Sequence, residues 1–351
     1  MNYTYRICLC ILSFCGVYSA TAQPYVCMTH NVANNTLVFD TSAFNQFINL
    51  TAYDGIFYGE QHNASFDPIL KYQLITTLNN TQGIRDVFME IGHAAAWCYN
   101  MYLETGDTTY IYSRRLVYTK DGYRQFWRDL YTYNSSLPAN KKLVVHGVDF
   151  ERTEAFMALK RLAVNEPPAE LMAFADTIAA HTNDLPLEMY NENKEPITLF
   201  RHNMKKLRES FIAHEAAAKT YFGSNYAVAK SILLNEGIPS PSLLPRNKTM
   251  YAELTRQLPG YPVKFMFFMG RTHASLFIKS SIPNLALKDK LKAVTVNEVI
   301  YDLPSSMTDP EKARSIGNLM PADKNCKAVL MRATDVPQCK NEADFVIISS
   351  K

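Results

Sequence analysis

Several short apolar runs in this chain stop at an acid or a histidine, and this feature constrains the fold most. The run Ile56–Tyr58 is followed by Gly59, Glu60 and His62. Such a run is too short for a stable helix, and glycine permits a sharp exit, so the pattern predicts a buried strand. Open α/β sheets bind ligands at the carboxyl ends of their strands. Glu60 and His62 therefore lie where a site is expected, although a lone loop histidine is also often a structural residue.

Three later apolar runs end in the same way. They are Gly83–Glu90, Leu143–Asp149, and Val263–Gly270 followed by Arg271, Thr272 and His273. Segments with apolar residues at helical spacing lie between the earlier runs, at about Phe66–Leu78, Ala94–Leu103 and Tyr123–Tyr133. Strands that alternate with helices are typical of a parallel sheet that is covered on both faces. The sequence therefore predicts an α/β fold with a mainly parallel central sheet flanked by helices.

The pattern is helical throughout from about residue 153 to residue 245. Its apolar residues at helical spacing include Phe200, Met204, Leu207 and Phe211. This region is predicted to be a helical insertion or lid. Two later apolar runs, Ala293–Val299 and Phe345–Ile348, are predicted to be closing strands, the second at an edge of the sheet. We expect a single α/β domain over residues 23–351.

The first 22 residues have the pattern of a secretory signal peptide. Arg6 precedes the apolar run Ile7–Tyr18, and the small residues Ala20–Ala22 favour cleavage before Gln23. No later segment contains the roughly 20 uninterrupted apolar residues that a membrane span requires. The sequence thus predicts a protein that is secreted or periplasmic after cleavage, without a membrane span.

Four cysteines remain after the predicted cleavage, namely Cys27, Cys98, Cys326 and Cys339. They allow three pairings. The pair Cys326 and Cys339 is favoured because both flank the apolar run Ala328–Met331, and a short turn could join them. The other pairings stay open.

Composition and missing motifs exclude several classes of function. The chain is 47% hydrophobic and 20% charged, with a formal net charge of +3, which is too small for a nucleic-acid surface. The sequence contains no G-x-S-x-G motif, no glycine-rich phosphate loop and no H-E-x-x-H motif. The partner that we expect is a small-molecule substrate or ligand.

Polar residues from four strand ends make up the candidate site. Glu60, His62, Glu90, Asp149 and His273 each follow a predicted parallel strand, and such ends meet at one edge of a sheet. Each acid or histidine could instead cap a helix or begin a turn. Their coincidence at four strand ends favours a common pocket.

The order and spacing of these motifs resemble those of the superfamily of erythromycin esterases and ChaN-like haem-binding lipoproteins. Its esterase branch has strand ends of the form G-E-x-x-H, then Glu, then G-x-D, followed by an R-[DE]-x-x-M helix and an H-N-x-H strand end. The matching residues, over roughly residues 55–275, are Gly59–His62, Gly83–Glu90, Gly147–Asp149, Arg246 with Met250, and His273. Here the first motif has the shorter G-E-x-H form of the ChaN-like branch. In addition, Asn247 replaces the acid, and Gly270 replaces the first late histidine.

The resemblance implies an exported hydrolase that acts on an ester or lactone. Hydrolysis near neutral pH needs a base that titrates there, and His62 is the candidate general base. Glu60 or Glu90 would accept its other ring N–H and fix its tautomer. Arg246 and His273 would stabilise the oxyanion, and His273 would protonate the leaving group. Three further residues are predicted to bind substrate, namely Asp149, Arg271 and Tyr99.

The alternative is a ChaN-like periplasmic protein that binds haem or a small ligand without turnover. Tyrosines can ligate haem iron, and four lie near the predicted site in sequence, namely Tyr99, Tyr102, Tyr110 and Tyr112. Two histidines and three acids could also hold a divalent metal that activates water. The hydrolase mechanism itself requires no cofactor.

Overall fold

The computed structural model describes most of the chain. The described residues are 25–31, 36–39, 47–61, 67–111, 121–182, 195–235, 243–258, 264–300, 326–336, 339 and 341–349. The predicted signal peptide, His62 and Tyr112 lie outside these ranges. The role predicted for His62 therefore stays a prediction.

One mixed sheet organises the described residues. Its nine strands have the order β2-β1-β8-β9-β7-β3-β6-β4-β5, and all neighbours from β9 to β5 are parallel. The strands are β1 (Tyr25–Asn31), β2 (Thr36–Phe39), β3 (Gly55–Glu60), β4 (Asp86–Met89), β5 (Val144–Gly147), β6 (Phe265–Gly270), β7 (Ala293–Ile300), β8 (Cys326–Arg332) and β9 (Phe345–Ser349). The predicted α/β class with a mainly parallel central sheet is confirmed.

Helices follow most of the parallel strands. The described helices are α1 (Asp67–Gln82), α2 (His93–Thr105), α3 (Asp121–Ser136), α4 (Glu154–Leu162), α5 (Met172–His181), α6 (Glu195–Ala213), α7 (Glu215–Phe222), α8 (Tyr226–Leu233), α9 (Leu243–Gln257), α10 (Arg271–Ala274) and α11 (Ile282–Lys288). No helix in this part of the chain combines the length and the apolar character that a bilayer crossing requires. The predicted insertion boundary at residue 245 falls inside α9, which carries Arg246.

Both faces of the central strands are buried, which explains their nearly continuous apolar sequences. Ile56 and Tyr58 of β3 belong to a large core cluster on one face, and Phe57 belongs to a second cluster on the other face. This alternation follows from the two-residue period of a strand. The sheet consequently separates two groups of side chains at its carboxyl edge.

The strand register places the predicted site positions side by side. Glu60, the last residue of β3, is paired with Gly270, the last residue of β6. On the other side of β3, Gly59 is paired with Asn297 of β7. The backbone N–H of Glu90, just after β4, donates to Phe268 O at 3.2 Å. The carboxyl ends of these parallel strands therefore meet at one edge, as expected.

Two expectations about the end of the chain are wrong. β9 lies between β8 and β7 in the sheet order, so Phe345–Ile348 is an interior strand and not an edge strand. The disulfide joins Cys27 to Cys326, with a Cα–Cα distance of 5.6 Å, whereas Cys98 and Cys339 are buried thiols. The physical reason is the antiparallel pairing of β1 with β8, which brings distant residues together. The pairing of β1 with β8 therefore determines the partner of Cys326, and the short turn toward Cys339 does not.

Candidate functional site

Four polar side chains from separate elements meet around one guanidinium. Glu90 follows β4, Asp149 follows β5, Arg246 lies in the first turns of α9, and His273 lies in α10, directly after β6. We call these four residues the Arg246 cluster. Asp149, Arg246 and His273 are buried, and the side chain of Glu90 is 15% exposed. Three of the predicted strand-end residues are thus brought together with Arg246.

Arg246 makes the contacts that hold this cluster together. Its Nε donates to Asp149 Oδ1 at 3.1 Å and its Nη2 donates to Asp149 Oδ2 at 2.6 Å, which is a two-pronged ion pair. The same Nη2 donates to Glu90 Oε1 at 2.5 Å. Planar guanidinium geometry suits such paired acceptors, and charge-assisted hydrogen bonds of this kind are strong. Arg246 is therefore fixed in orientation at the centre of the site.

Two backbone features position the acids. The second carboxylate oxygen of Glu90 accepts the N–H of Gly270 at 2.7 Å, which ties the end of β4 to the end of β6. Gly147 precedes Asp149 by two residues, and a Cβ at this glycine would lie 2.2 Å from Gly92 O. A larger residue at this position would push the chain away from Gly92. The G-x-D motif thus reflects a close approach of two backbone segments.

His273 lies between two fixed neighbours. Its Nε2 is 3.2 Å from Arg246 Nη1 and 3.5 Å from Glu90 Oε1. Its Nδ1 forms a short hydrogen bond with Asn247 Oδ1. The residue is 5% exposed. The imidazole is consequently held on both of its nitrogen atoms.

Glu60 takes part in a different group on the opposite face of the sheet. Its carboxylate accepts from the ammonium of Lys71, which is also 2.9 Å from Asp67 Oδ2. Tyr123 donates to Asp67 Oδ2 and accepts from Lys71 Nζ at 3.2 Å. Glu298 of β7 accepts the N–H of Gln61 at 3.1 Å. We call Glu60, Asp67, Lys71, Tyr123 and Glu298 the Lys71 cluster.

Burial shifts the titration of the Lys71 cluster. Burial raises the pKa of the Glu298 carboxyl well above its ordinary value of 4.5, and the charge of Asp67 raises it further. Burial lowers the pKa of Lys71, but the carboxylates of Asp67 and Glu60 outweigh it and hold this pKa well above its ordinary value. Lys71 is therefore a stable cation, whereas Glu298 favours its neutral form.

Two residues predicted to bind substrate lie elsewhere. Tyr99 is 4% exposed and stacks on Trp127 with ring centroids 3.8 Å apart, so it is a core residue and not part of the Arg246 cluster. It lies in the core because one face of α2 packs on α3. Arg271 is half-buried, with its Nη2 3.6 Å from Glu342 Oε2. Its guanidinium faces the loop before β9.

The sequence reasoning missed Asp67, Lys71 and Glu298. Asp67 and Lys71 are four residues apart on one helix, which is the spacing of an ion pair. Glu298 is a buried acid within a buried strand, and an unexplained acid of this kind could have been noticed. The proximity of Glu298 to Glu60 could not have been predicted, because it depends on β7 lying next to β3 in the sheet.

The cofactor alternatives can be tested against these residues. Among the described residues, no group of three or more His, Cys, Asp or Glu side chains is arranged to hold a metal ion. In the Arg246 cluster, the guanidinium occupies the position between the carboxylates that a cation would take. Of the tyrosines proposed as haem ligands, Tyr99 and Tyr102 are buried in the core. Ligation by either would require its ring to leave that packing.

The fold and this site together define a class, an α/β protein with a polar cluster at the carboxyl edge of a mainly parallel sheet. No family model matches the chain, and no curated protein matches it. Several solved structures do resemble it across most of its length. The chain shares its fold with an erythromycin esterase, in agreement with the motif resemblance.

The alignments with these solved structures are long, but sequence identity is low. A mutant of the erythromycin esterase EreC in its open conformation aligns with a TM-score of 0.57 and 12% identity, covering 91% of this chain and 96% of that one. A Bacillus cereus protein has a TM-score of 0.55 and 13% identity, with 93% and 95% covered. A succinoglycan biosynthesis protein has a TM-score of 0.53 and 14% identity, with 88% and 90% covered. At these identities the likeness shows the fold alone.

Proposed function

We propose that this protein is a hydrolase of ester or lactone bonds whose reaction takes place at the Arg246 cluster. The observation that carries the proposal is the convergence of two carboxylates and an imidazole on one buried guanidinium at the carboxyl edge of the sheet. Shared fold with an erythromycin esterase supports the reaction class. Export after cleavage near Ala22 is part of the same proposal.

The proposed mechanism assigns each residue a chemical task. His62 acts as a general base toward water, and such a base contributes about 10²–10⁴-fold in rate. Glu60 or Glu90 orients His62. Arg246 and His273 are the proposed donors to the oxyanion, and loss of one such donor costs on the order of 10²–10³ in rate. Asp149 orients Arg246 through both of its oxygens, whereas Arg271 lies outside the cluster and remains only a proposed substrate contact.

Glu90 has a second task that follows from its contacts. Its oxygens accept from Arg246 and from the Gly270 N–H, so the carboxylate joins the site to the end of β6. Replacing it with glutamine keeps the size but puts a donor NH₂ group against one of these N–H donors. We expect Glu90→Gln to disturb the orientation of Arg246 as well as the local charge.

The test is turnover of a panel of esters and lactones by the purified chain. His62→Ala and Glu90→Gln should each lower kcat/KM by about 10²-fold or more, with the fold retained by circular dichroism. His202→Ala is the matched control, because His202 is an exposed histidine of α6. Turnover that survives His62→Ala would contradict the mechanism. Tight ligand binding by a folded chain that turns over no member of the panel would favour the alternative of binding alone.

A further inference from the structure

The side-chain amide of Asn247 is buried between His273 and the loop that follows α10. Asn247 is 0% exposed, and its Nδ2 donates to the carbonyl oxygen of Ser280 at 3.0 Å. That bond fixes the amide, because the reverse orientation would put two oxygens against each other. Oδ1 must therefore be the atom that faces His273 Nδ1.

The two neighbours of His273 specify one protonation state of the ring. An amide oxygen can only accept a hydrogen bond, so Nδ1 carries the hydrogen. A guanidinium can only donate, so Nε2, at 3.2 Å from Arg246 Nη1, presents its lone pair. An imidazolium would bring an Nε2–H against an N–H of Arg246. Both contacts thus favour the neutral imidazole with its hydrogen on Nδ1.

We propose that Asn247 is a positioning residue that holds His273 in this neutral form, so that Nε2 of His273 begins the reaction as a proton acceptor. The catalytic half of this inference rests on the proposed hydrolase function. It refines the role expected from the sequence, in which His273 only donates. A ring without a hydrogen on Nε2 must receive a proton before it can give one.

The proton balance of the cycle follows. His62 accepts one proton from the attacking water as the new C–O bond forms, and Nε2 of His273 then accepts the proton of the hydroxyl group that this water adds to the substrate. The imidazolium then returns this proton to the leaving alkoxide as the old C–O bond breaks. During that interval the nearest described carboxylate oxygen is Glu90 Oε1, 3.5 Å from Nε2. Asn247 keeps Nδ1 hydrogen-bonded throughout but adds no negative charge of its own.

An acid at position 247 should change this state. In Asn247→Asp, a carboxylate would face Nδ1 and stabilise the imidazolium together with Glu90, so His273 would keep its second proton up to a higher pH. As the pH falls, activity that depends on the Nε2 lone pair would then be lost at a higher pH than in the unmodified protein. Asn247→Leu would remove the acceptor and leave the tautomer unspecified. We expect it to lower kcat by about 10²-fold with little change in KM.

Nitrogen-15 NMR of the histidine rings tests the inference without any substrate. The His273 signals, assigned by their loss in His273→Gln, should show a neutral ring with hydrogen on Nδ1 at pH 7. In Asn247→Asp they should show the imidazolium up to a higher pH, and the acid limb of the kcat/KM profile should move in the same direction. A hydrogen on Nε2 in the unmodified protein, or an unchanged Asn247→Asp spectrum, would overturn the proposal.

The chain offers a matched control for this experiment. Asn203 Nδ2 lies 2.8 Å from His181 Nε2, in the helices between β5 and β6, so Asn203→Asp makes the same substitution beside another histidine. It should leave the His273 signals and the pH profile unchanged. Thermal unfolding reports whether each variant is folded. If the expected tautomer is found but no ester or lactone is hydrolysed, the proposed function fails and the structural inference stands.

Discussion

The Arg246 cluster and the Lys71 cluster lie at the same edge of the sheet, on opposite faces. Each contains one buried cation among carboxyl groups, supplied by the ends of strands and by helices. The cations differ in shape. The planar guanidinium of Arg246 donates along several fixed directions, whereas the ammonium of Lys71 is a compact charge with three donors.

This difference in shape has a consequence for the acids. Both oxygens of Asp149 and both oxygens of Glu90 accept hydrogen bonds. In the other group, Asp67 Oδ1 and Glu298 Oε1 have no hydrogen-bond partner among the residues that the structure describes, and the same is true of the nearby Tyr58 hydroxyl. The Arg246 cluster is therefore closely matched, while the Lys71 cluster contains one carboxyl group more than its cation can satisfy.

The largest expected effect comes from removing the cation of the matched cluster. Arg246→Met would leave Glu90 and Asp149 buried beside each other without a counter-charge, and breaking a buried pair in this way costs about 3–5 kcal/mol. Arg246→Lys keeps the charge but loses the two-pronged contact with Asp149, so a smaller loss is expected. The free energy of unfolding in urea at pH 7 measures both. Equal stability of Arg246→Met and the unmodified chain would mean that the ion pairs of Arg246 do not stabilise the fold.

A gain in stability of intermediate size is expected when the carboxyl group of Glu298 is replaced. Because the pKa of Glu298 is raised in the folded state, the folded chain binds more protons than the unfolded chain at pH values above about 4.5. Its contribution to stability is thus present at low pH and is lost as pH rises toward the folded-state pKa. Glu298→Gln removes this titration and should be more stable at pH 8 by about 1.4 kcal/mol or more, because each unit by which folding raises the pKa lowers the stability by that amount.

The measurement for Glu298→Gln is a pair of unfolding curves at pH 4 and pH 8. The two proteins should differ little at pH 4, where Glu298 is protonated and glutamine resembles it. The difference should open at pH 8. Parallel dependence of the two stabilities on pH would show that Glu298 does not titrate in this window, and the contrast between the clusters would lose its electrostatic basis.

The Arg246 cluster was largely predictable from the sequence, and the Lys71 cluster was not. Glu90 and Asp149 end apolar runs that can only be buried strands, so local patterns identify them. Arg246 was identified only through the motif resemblance, because nothing in its own helix marks it. Glu298 contacts Gln61 across 237 residues, and this contact depends on β7 lying next to β3. Strand order arises from packing of the whole chain, so no local pattern could reveal this pair.

The difference between local patterns and packing of the whole chain also explains why Tyr99 and Cys27 have contacts that were not predicted. Tyr99 follows the second predicted strand closely in sequence, yet the helical period of α2 directs it onto Trp127. Cys27 is far from Cys326 in sequence, but the antiparallel pairing of β1 with β8 joins them. β1 lies four strands away from β3 in the sheet, and no strand was predicted there. Sequence patterns thus identify the parallel centre of the sheet better than its antiparallel side.

The smallest expected effect comes from one chemical change made at two tyrosines. The Tyr58 hydroxyl is buried without a hydrogen-bond partner among the described residues, so Tyr58→Phe should raise the free energy of unfolding by about 1 kcal/mol. The Tyr123 hydroxyl bonds to Asp67 and Lys71, so Tyr123→Phe should lower it by about 1.5 kcal/mol. Both variants lose a single oxygen, and urea unfolding at pH 7 compares them directly. A loss of stability in Tyr58→Phe as large as that in Tyr123→Phe would mean that the Tyr58 hydroxyl has a hydrogen-bond partner. The Lys71 cluster would then not differ from the Arg246 cluster in its unsatisfied polar atoms.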